Sequence, residues 1–463
     1  MMRIFKTLAL VSLIFTSVSS HGAYQLPSYE KLTLDNGLTL FLMEQHEVPL
    51  IDISIVTKVG AVNDAAQSGL ANITVENLVL GTKSLTKARL DDQLDYIGAS
   101  LFSSANLEFS QLGASFASKD QHQVLPLLSE MVLSPRFEQA EFDKFKKRYL
   151  LQLEQAKESP KSVINQYFNR LVFGENGYGS SVTGDHKSVN NITLSEVKNH
   201  HHAWYTPNNS AVVVVGDFDS KQMKSQLNAL FGQWQKAPLP QQPTLQLATT
   251  PKHSKLLLVN KSDAIETTFL IGGKGIARNN PHSVGISVIN TILGARFTSW
   301  LNDALRVNAG LTYGARSRFD AYSQAGNFYI STFTKTATTI EAVDLAIATY
   351  NKLWEQGIDE QTLASAKAYV KGQFPPKFET SSQLNALLVD MYGYGFDESY
   401  INTFEQQVNS LTPERTKALI TKYFPKENLQ FVLVGKADEI REKVTKYGQV
   451  TEVNIQDEQI NIY

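Results

Sequence analysis

The side chains of this chain best suited to holding a metal ion are spaced so that no helix can bring them together. A helix presents two imidazoles to one ion only when they lie about four residues apart. The nine histidines stand at positions 21, 46, 122, 186, 200, 201, 202, 253 and 282, and no two are separated by four. His200, His201 and His202 form the single cluster, and consecutive residues leave a helix in different directions. This run precedes Trp204-Tyr205-Thr206-Pro207 and is expected to be an exposed helix end, its imidazoles near the negative pole of the helix dipole. There is no cysteine, so thiolate ligation, disulfides and a lipid-accepting thiol are all excluded.

Two copies of one arrangement must position whatever chemistry remains. Ile192–Asp219 reads ITLSEVKNHHHAWYTPNNSAVVVVGDFD, and Leu411–Asp438 reads LTPERTKALITKYFPKENLQFVLVGKAD. Glu196 aligns with Glu414, Tyr205 with Tyr423, Pro207 with Pro425, and Val215-Gly216 with Val434-Gly435. Each segment predicts a helix, a proline-marked turn and a β-branched strand ending at glycine. Equal positions near the ends of two halves indicate a duplication. Ala237–Pro251 carries Pro238, Pro240, Pro243 and Pro251 among Gln and Thr and reads as a linker. The halves are therefore expected at 24–236 and 252–463.

Within the first half, Lys31–Met43 holds an Asp35-Asn36-Gly37 turn between apolar-alternating arms, a hairpin signal. Pro49–Val59 reads as a strand. Gly69–Leu80 and Thr86–Ile97 read as helices, as does Phe137–Lys157, with Leu150, Leu151 and Leu153 on its apolar side. Mixed strands and helices with antiparallel hairpins predict an α+β fold: duplicated two-layer halves, each a mainly antiparallel sheet with helices packed on one face.

The N-terminus has the pattern of a secretory signal. Arg3 and Lys6 precede an apolar run, Leu8–Phe15, too short to span a bilayer, and small residues follow in Thr16–Ala23. Cleavage is expected after Ser20 or Ala23. The mature chain would be exported, and periplasmic in a Gram-negative cell. Its formal charge would fall from −2 to −4, which makes nucleic acid and anionic membranes unexpected partners. Hydrophobic residues make up 42% of the chain, enough for sizeable cores without disulfides.

Gly69–Thr82 reads GLANITVENLVLGT. Together with LTLDNGLTLFL near the start, YTPNNSAVVVVGDFD closing the first half, and LGARFTSWLNDALRVNAGLTYGARSRF at Leu293–Phe319, it makes the mature chain resemble the pitrilysin/insulinase-like zinc peptidases over nearly all its length. In that family an inverted H-x-x-E-H motif lies between Gly-Leu-Ala and Gly-Thr. The frame stands here as Gly69, Leu70, Ala71, Gly81 and Thr82. Where the motif has His, Glu and His, this chain has Asn72, Val75 and Glu76. An amide is a poor zinc ligand, Val cannot accept a proton, and Glu76 cannot hold a metal alone. The frame puts the third ligand position at Leu151 or Gln152, with Glu154 one turn away. No cofactor is expected in this chain.

The resemblance implies a second role. In the family's bacterial two-subunit members, the chain lacking the zinc motif donates an Arg and a Tyr from its second half. Arg306 and Tyr313, in LRVNAGLTY, match those positions, with Gly310 allowing the turn between them. A guanidinium and a phenol can both donate to the oxygen on which charge builds during peptide hydrolysis. Arg296, Arg316 and Arg318 are expected to be surface or structural residues, though any of them could touch peptide carboxylates. The strand within Ser100–Phe116 corresponds to one that receives substrate in the zinc-bearing half. The chain is thus expected to be the non-catalytic subunit of an exported heterodimeric zinc metallopeptidase, with zinc in an H-x-x-E-H partner and metalloendopeptidase activity only beside it. The alternative is a peptide-binding or scaffold protein of the cell envelope.

Overall fold

A computed structural model describes residues 24–175, 177–243, 245 and 251–457. The leader expected over residues 1–23 lies outside the described residues. The first half builds one six-stranded sheet from β1 (Glu30–Thr33), β2 (Thr39–Glu44), β3 (Leu50–Thr57), β4 (Ser100–Ala105), β5 (Ser110–Ala117) and β6 (Ser210–Gly216), in the order β1-β2-β6-β3-β5-β4. The second builds another from β7 (Lys255–Asn260), β8 (Glu266–Lys274), β9 (Arg316–Ala321), β10 (Gly326–Lys335), β11 (Gln430–Gly435) and β12 (Gln449–Asn454), in the order β12-β7-β11-β8-β10-β9. Setting aside the outermost β1 and β12, the two orders are the same. Most neighbours are antiparallel; β2 with β6, and β7 with both β11 and β12, are parallel. The predicted hairpin is present, with Gly37 at φ +87° in its turn.

β6 and β11 are the two strands marked by the repeat. Every residue of both is buried, so their β-branched runs face apolar layers on two sides. On one side lie the helices of the same half. In the first half Val75 and Leu78, Leu90 and Leu94, Leu125 and Leu128, and Leu227 and Phe231 come from four helices and close one core. The other side of each sheet takes a helix lent by the opposite half. Ser381–Tyr394 crosses to the first sheet, where the Asn385 amide donates to the carbonyls of Asp52 (3.0 Å) and Val213 (3.1 Å) and accepts from Ser54 Oγ (2.5 Å). Pro160–Phe173 crosses to the second sheet, where Asn169 accepts from Asn327 Nδ2 at 2.6 Å and Phe168 packs edge-on against Tyr329. The α+β duplication is therefore as expected, with a reciprocal exchange of helices that periodicity does not reveal.

Two local expectations need correction. Leu151 is 58% exposed, and the buried stripe of the Gln139–Ala156 helix is Phe142, Phe145 and Tyr149, with Leu150 and Leu153 at its margin. The 3.6-residue period runs through the aromatics to Leu153 and leaves Leu151 on the outer side. His200 is buried, not exposed. It shares the i, i+3, i+4 stripe of Val197 and Trp204 on the Leu194–Trp204 helix, while His202 faces solvent.

Candidate functional site

Gly69, at φ +95°, opens the Leu70–Leu78 helix in a conformation that suits glycine, and an added Cβ would lie 2.9 Å from the Thr183 carbonyl. The first N–H groups of a helix lack partners of their own. Here the Asp64 carboxylate supplies them, accepting from Gly69 N and Ala71 N at 2.8 Å each. Burial pushes its pKa up to about 8, against those same hydrogen bonds. At the far end Gly81 takes φ +121° where a Cβ would press on the Leu85 carbonyl, and Thr82 bridges to Pro135. The frame around the motif is thus required by the backbone alone.

Inside the frame the polar groups satisfy each other. Asn72 donates from Nδ2 to the Tyr149 hydroxyl (2.9 Å) and accepts on Oδ1 from the Ala105 N–H of edge strand β4 (3.1 Å). Tyr149 donates onward to the Thr183 carbonyl at 3.1 Å. The residue facing position 72 from the long helix is therefore Tyr149, not Leu151, Gln152 or Glu154. Val75 is fully buried in the core. Glu76 is half-buried; burial raises its pKa and nearby Arg148 partly opposes this. An amide with both ends engaged, a phenol, a Val and one carboxyl do not fit a zinc ion. Among the described residues no group of three or more His, Asp or Glu is arranged to hold a metal.

The duplication supplies a second corner. VENLVLG at 75–81 aligns with VINTILG at 288–294, so the Ser283–Asn290 helix is the counterpart of Leu70–Leu78, and β9 of β4. Asn290 donates to the Ser317 carbonyl at 3.0 Å and accepts from its hydroxyl at 2.6 Å. Gly294 approaches β9 so closely that a Cβ would lie 2.3 Å from Ser317 N. The chain then widens into π-helical turns at Thr291–Ala295 and Asp303–Asn308, a form that recurs at functional sites.

Arg306 stands on the second of these turns, its guanidinium 4.5 Å from the Phe297 ring centroid. Gly310, at φ +63°, reverses the chain, and Leu311 N closes the loop onto the Leu305 carbonyl at 2.8 Å. Thr334 Oγ1 donates to the Leu311 carbonyl and Thr332 Oγ1 to the Gly314 carbonyl, pinning the loop to β10. Tyr313 is 84% exposed, with its ring 6.5 Å from that of Phe333. It precedes β9 instead of opening it. Arg306 and Tyr313 thus share one loop but lean on different aromatic rings.

Residues 41–186 match the family model "Insulinase (Peptidase family M16)", and residues 191–370 match "Peptidase M16 inactive domain". The chain belongs to peptidase family M16. Relatives carry names on both sides of the catalytic divide. An uncharacterized zinc protease of Mycobacterium leprae (strain TN) is 24% identical over 84% of this chain and 88% of its own. The non-peptidase homolog YmxG of Helicobacter pylori is also 24% identical, over 85% of this chain and 90% of its own. A crystal structure described as a peptidase M16 inactive domain, from Pseudomonas fluorescens, superposes with a TM-score of 0.82 at 22% identity, covering 88% of this chain and 98% of that one. The M16 fold is thereby shared across the described halves. Three residues at the second corner escape a reading of sequence: Phe297, Phe333 and Lys161. Lys161 comes from the lent helix, 172 positions away from Phe333 in the chain, and its ammonium lies 3.5 Å from that ring's centroid. No spacing rule connects them.

Proposed function

We propose that this M16 chain is the non-catalytic subunit of an exported, two-chain zinc peptidase. Its partner carries H-x-x-E-H and the zinc. This chain closes the chamber with its two peptidase-like halves, 24–236 and 252–463, and contributes Arg306 and Tyr313. The observation that carries the reading is the contrast between the corners: Asn72 spends both ends of its amide on Tyr149 and Ala105, while Tyr313 stands in solvent on a loop held by threonine hydroxyls. An exposed phenol and an always-charged guanidinium are suited to donate to a peptide carbonyl oxygen as it gains charge. The leader pattern at the N-terminus supports export.

Purified alone, the chain should carry no stoichiometric zinc and cleave no peptide. Co-expressed with an H-x-x-E-H subunit, it should support cleavage. One zinc per chain together with chelator-sensitive proteolysis by the isolated protein overturns the reading. The second reading, a peptide-binding or scaffold protein of the envelope, is favoured by the name of the Helicobacter pylori relative, a non-peptidase homolog. It predicts that no H-x-x-E-H chain accompanies this one in a pull-down from the native host.

A further inference from the structure

The second half presents a charged surface where the first presents a neutral one. β9 and β10 pair with Arg316 opposite Ser331 and Arg318 opposite Tyr329. Facing residues in a ladder share a side of the sheet, and alternate residues along a strand return to it. Arg316, Arg318, Ser331 and Phe333 therefore lie on one face. The helix lent by the first half covers the Tyr329 end of this face and sets the exposed Lys161 over the ring of Phe333. Tyr313 lies beside the same ring.

The cations of this region are not equivalent. Arg296 donates to Ser365 Oγ at 3.0 Å and serves the fold. Arg318 is paired with Asp320 at 2.6 Å. Among the described residues neither the exposed Arg316 nor Lys161 has an ion-pair partner, and the Lys161 ammonium lies over the Phe333 ring. On the matching face of β4 and β5, Ser100 stands opposite Ser115, Phe102 opposite Gly113 and Ser104 opposite Gln111, with no charge at all. The same strand frame therefore carries the free Arg316 where the other half has Ser100, and the lent helix adds Lys161 over the Phe333 ring.

We propose that this face selects acidic peptides. Arg316 and Lys161 are the specificity-determining cations, and Tyr313 and Phe333 form the platform between them. A guanidinium takes a carboxylate through two parallel hydrogen bonds, and an ammonium adds a point charge. An extended peptide repeats its side chains on one side about every 7 Å, the same repeat that separates positions on this face of β9. A peptide with carboxylates at alternate positions therefore keeps them on one side, towards Arg316 and Lys161, and matches the surface in sign. The role in substrate choice rests on the peptidase-subunit reading; the binding itself does not.

The test is fluorescence anisotropy on the isolated full chain, using short peptides that alternate Glu and Ala and carry a neutral dye. The Gln and Lys versions serve as controls. The Glu peptide should bind about tenfold more tightly than the Gln peptide in low salt. The preference should shrink as salt rises, because exposed charges are screened. Arg316→Ser, which copies Ser100 of the first half, and Lys161→Ser should each cut the preference by about threefold, with folding checked by circular dichroism. Equal binding of Glu and Gln peptides, no binding of either, or a preference that survives the double substitution overturns the proposal. Acid-selective binding without cleavage beside any H-x-x-E-H subunit would sink the peptidase-subunit reading and leave this one standing. Cleavage by the pair with no charge preference in kcat/KM would do the reverse.

Discussion

The Leu70–Leu78 corner and the Ser283–Asn290 corner are the same construction used in opposite directions. In both, a short buried helix lies against an edge strand, and a glycine at the seventh position of the aligned run lets the backbone pass: Gly81 in one, Gly294 in the other. In the first corner the polar groups turn inward and saturate each other through Asn72, Tyr149 and Ala105. In the second, Asn290 ties the helix to Ser317, and the chain beyond it carries Arg306 and Tyr313 outward. The frame of a metal motif can thus remain for backbone reasons after its donors are gone. What the frame shows is a fold; which way its polar groups face shows where chemistry is possible.

The largest effect expected separates the corners by activity. With an H-x-x-E-H partner, Arg306→Ala should lower turnover by about 10²–10³-fold, the usual loss when one donor to a developing oxyanion is removed. Tyr313→Phe keeps the ring and removes only the hydroxyl, so about a tenfold loss is expected. Asn72→Ala should leave turnover of the same pair unchanged. Steady-state kinetics on the three variants, with thermal unfolding as a folding control, decides the matter. Equal losses at both corners would erase the functional contrast between them.

Much of the fold could be read in advance. The repeat at Val215-Gly216 and Val434-Gly435 located β6 and β11, the buried strands of the two sheets, and the Asn36-Gly37 turn located the first hairpin. The exchange of helices could not be read, because Phe168 and Asn385 look like ordinary helix residues and their partners lie in the other half of the chain. The emptied motif was legible in Asn72, Val75 and Glu76. Tyr149 was not, because a position counted along a helix of uncertain register slips by two or three residues, enough to turn a buried hydroxyl into the exposed Leu151. The His cluster misled for a related reason: polarity suggested a surface where the stripe Val197, His200, Trp204 points inward.

That stripe gives an intermediate effect with a defined pH window. The helix matching it in the second half, Pro413–Tyr423, closes its core with Leu419 and Ile420. The first half uses His200, whose ring nitrogens find no hydrogen-bond partner among the described residues. Burial holds its pKa down at about 4. The unfolded chain protonates near 6.5, so below that pH the unfolded state binds the proton first. Stability from this group is therefore complete above pH 6.5 and is lost as pH falls towards about 4, by up to about 3 kcal/mol. His201, also held near 4 by burial, adds to the loss in the same window. His200→Leu imports the second half's solution and should reduce the acid loss measured by urea unfolding at neutral and mildly acidic pH. An unchanged pH dependence would place the titration elsewhere.

The smallest effect tests whether the first corner is now a structural joint. Asn72→Ala removes the acceptor for the Ala105 N–H and one of the two partners of the Tyr149 hydroxyl. Groups left unpaired out of water cost about 1–3 kcal/mol, and β4 is an edge strand, so water can reach some of what is exposed and the lower part of that range is expected. Asn72→His should cost at least as much, since an imidazole cannot match the amide's geometry at both ends. It should also gain no zinc by elemental analysis, because Val75, Tyr149 and a single Glu76 complete no ligand set around it. If Asn72→His instead bound zinc at one per chain, the corner would be a metal site lacking a single donor, and the inward-facing half of the comparison would fail.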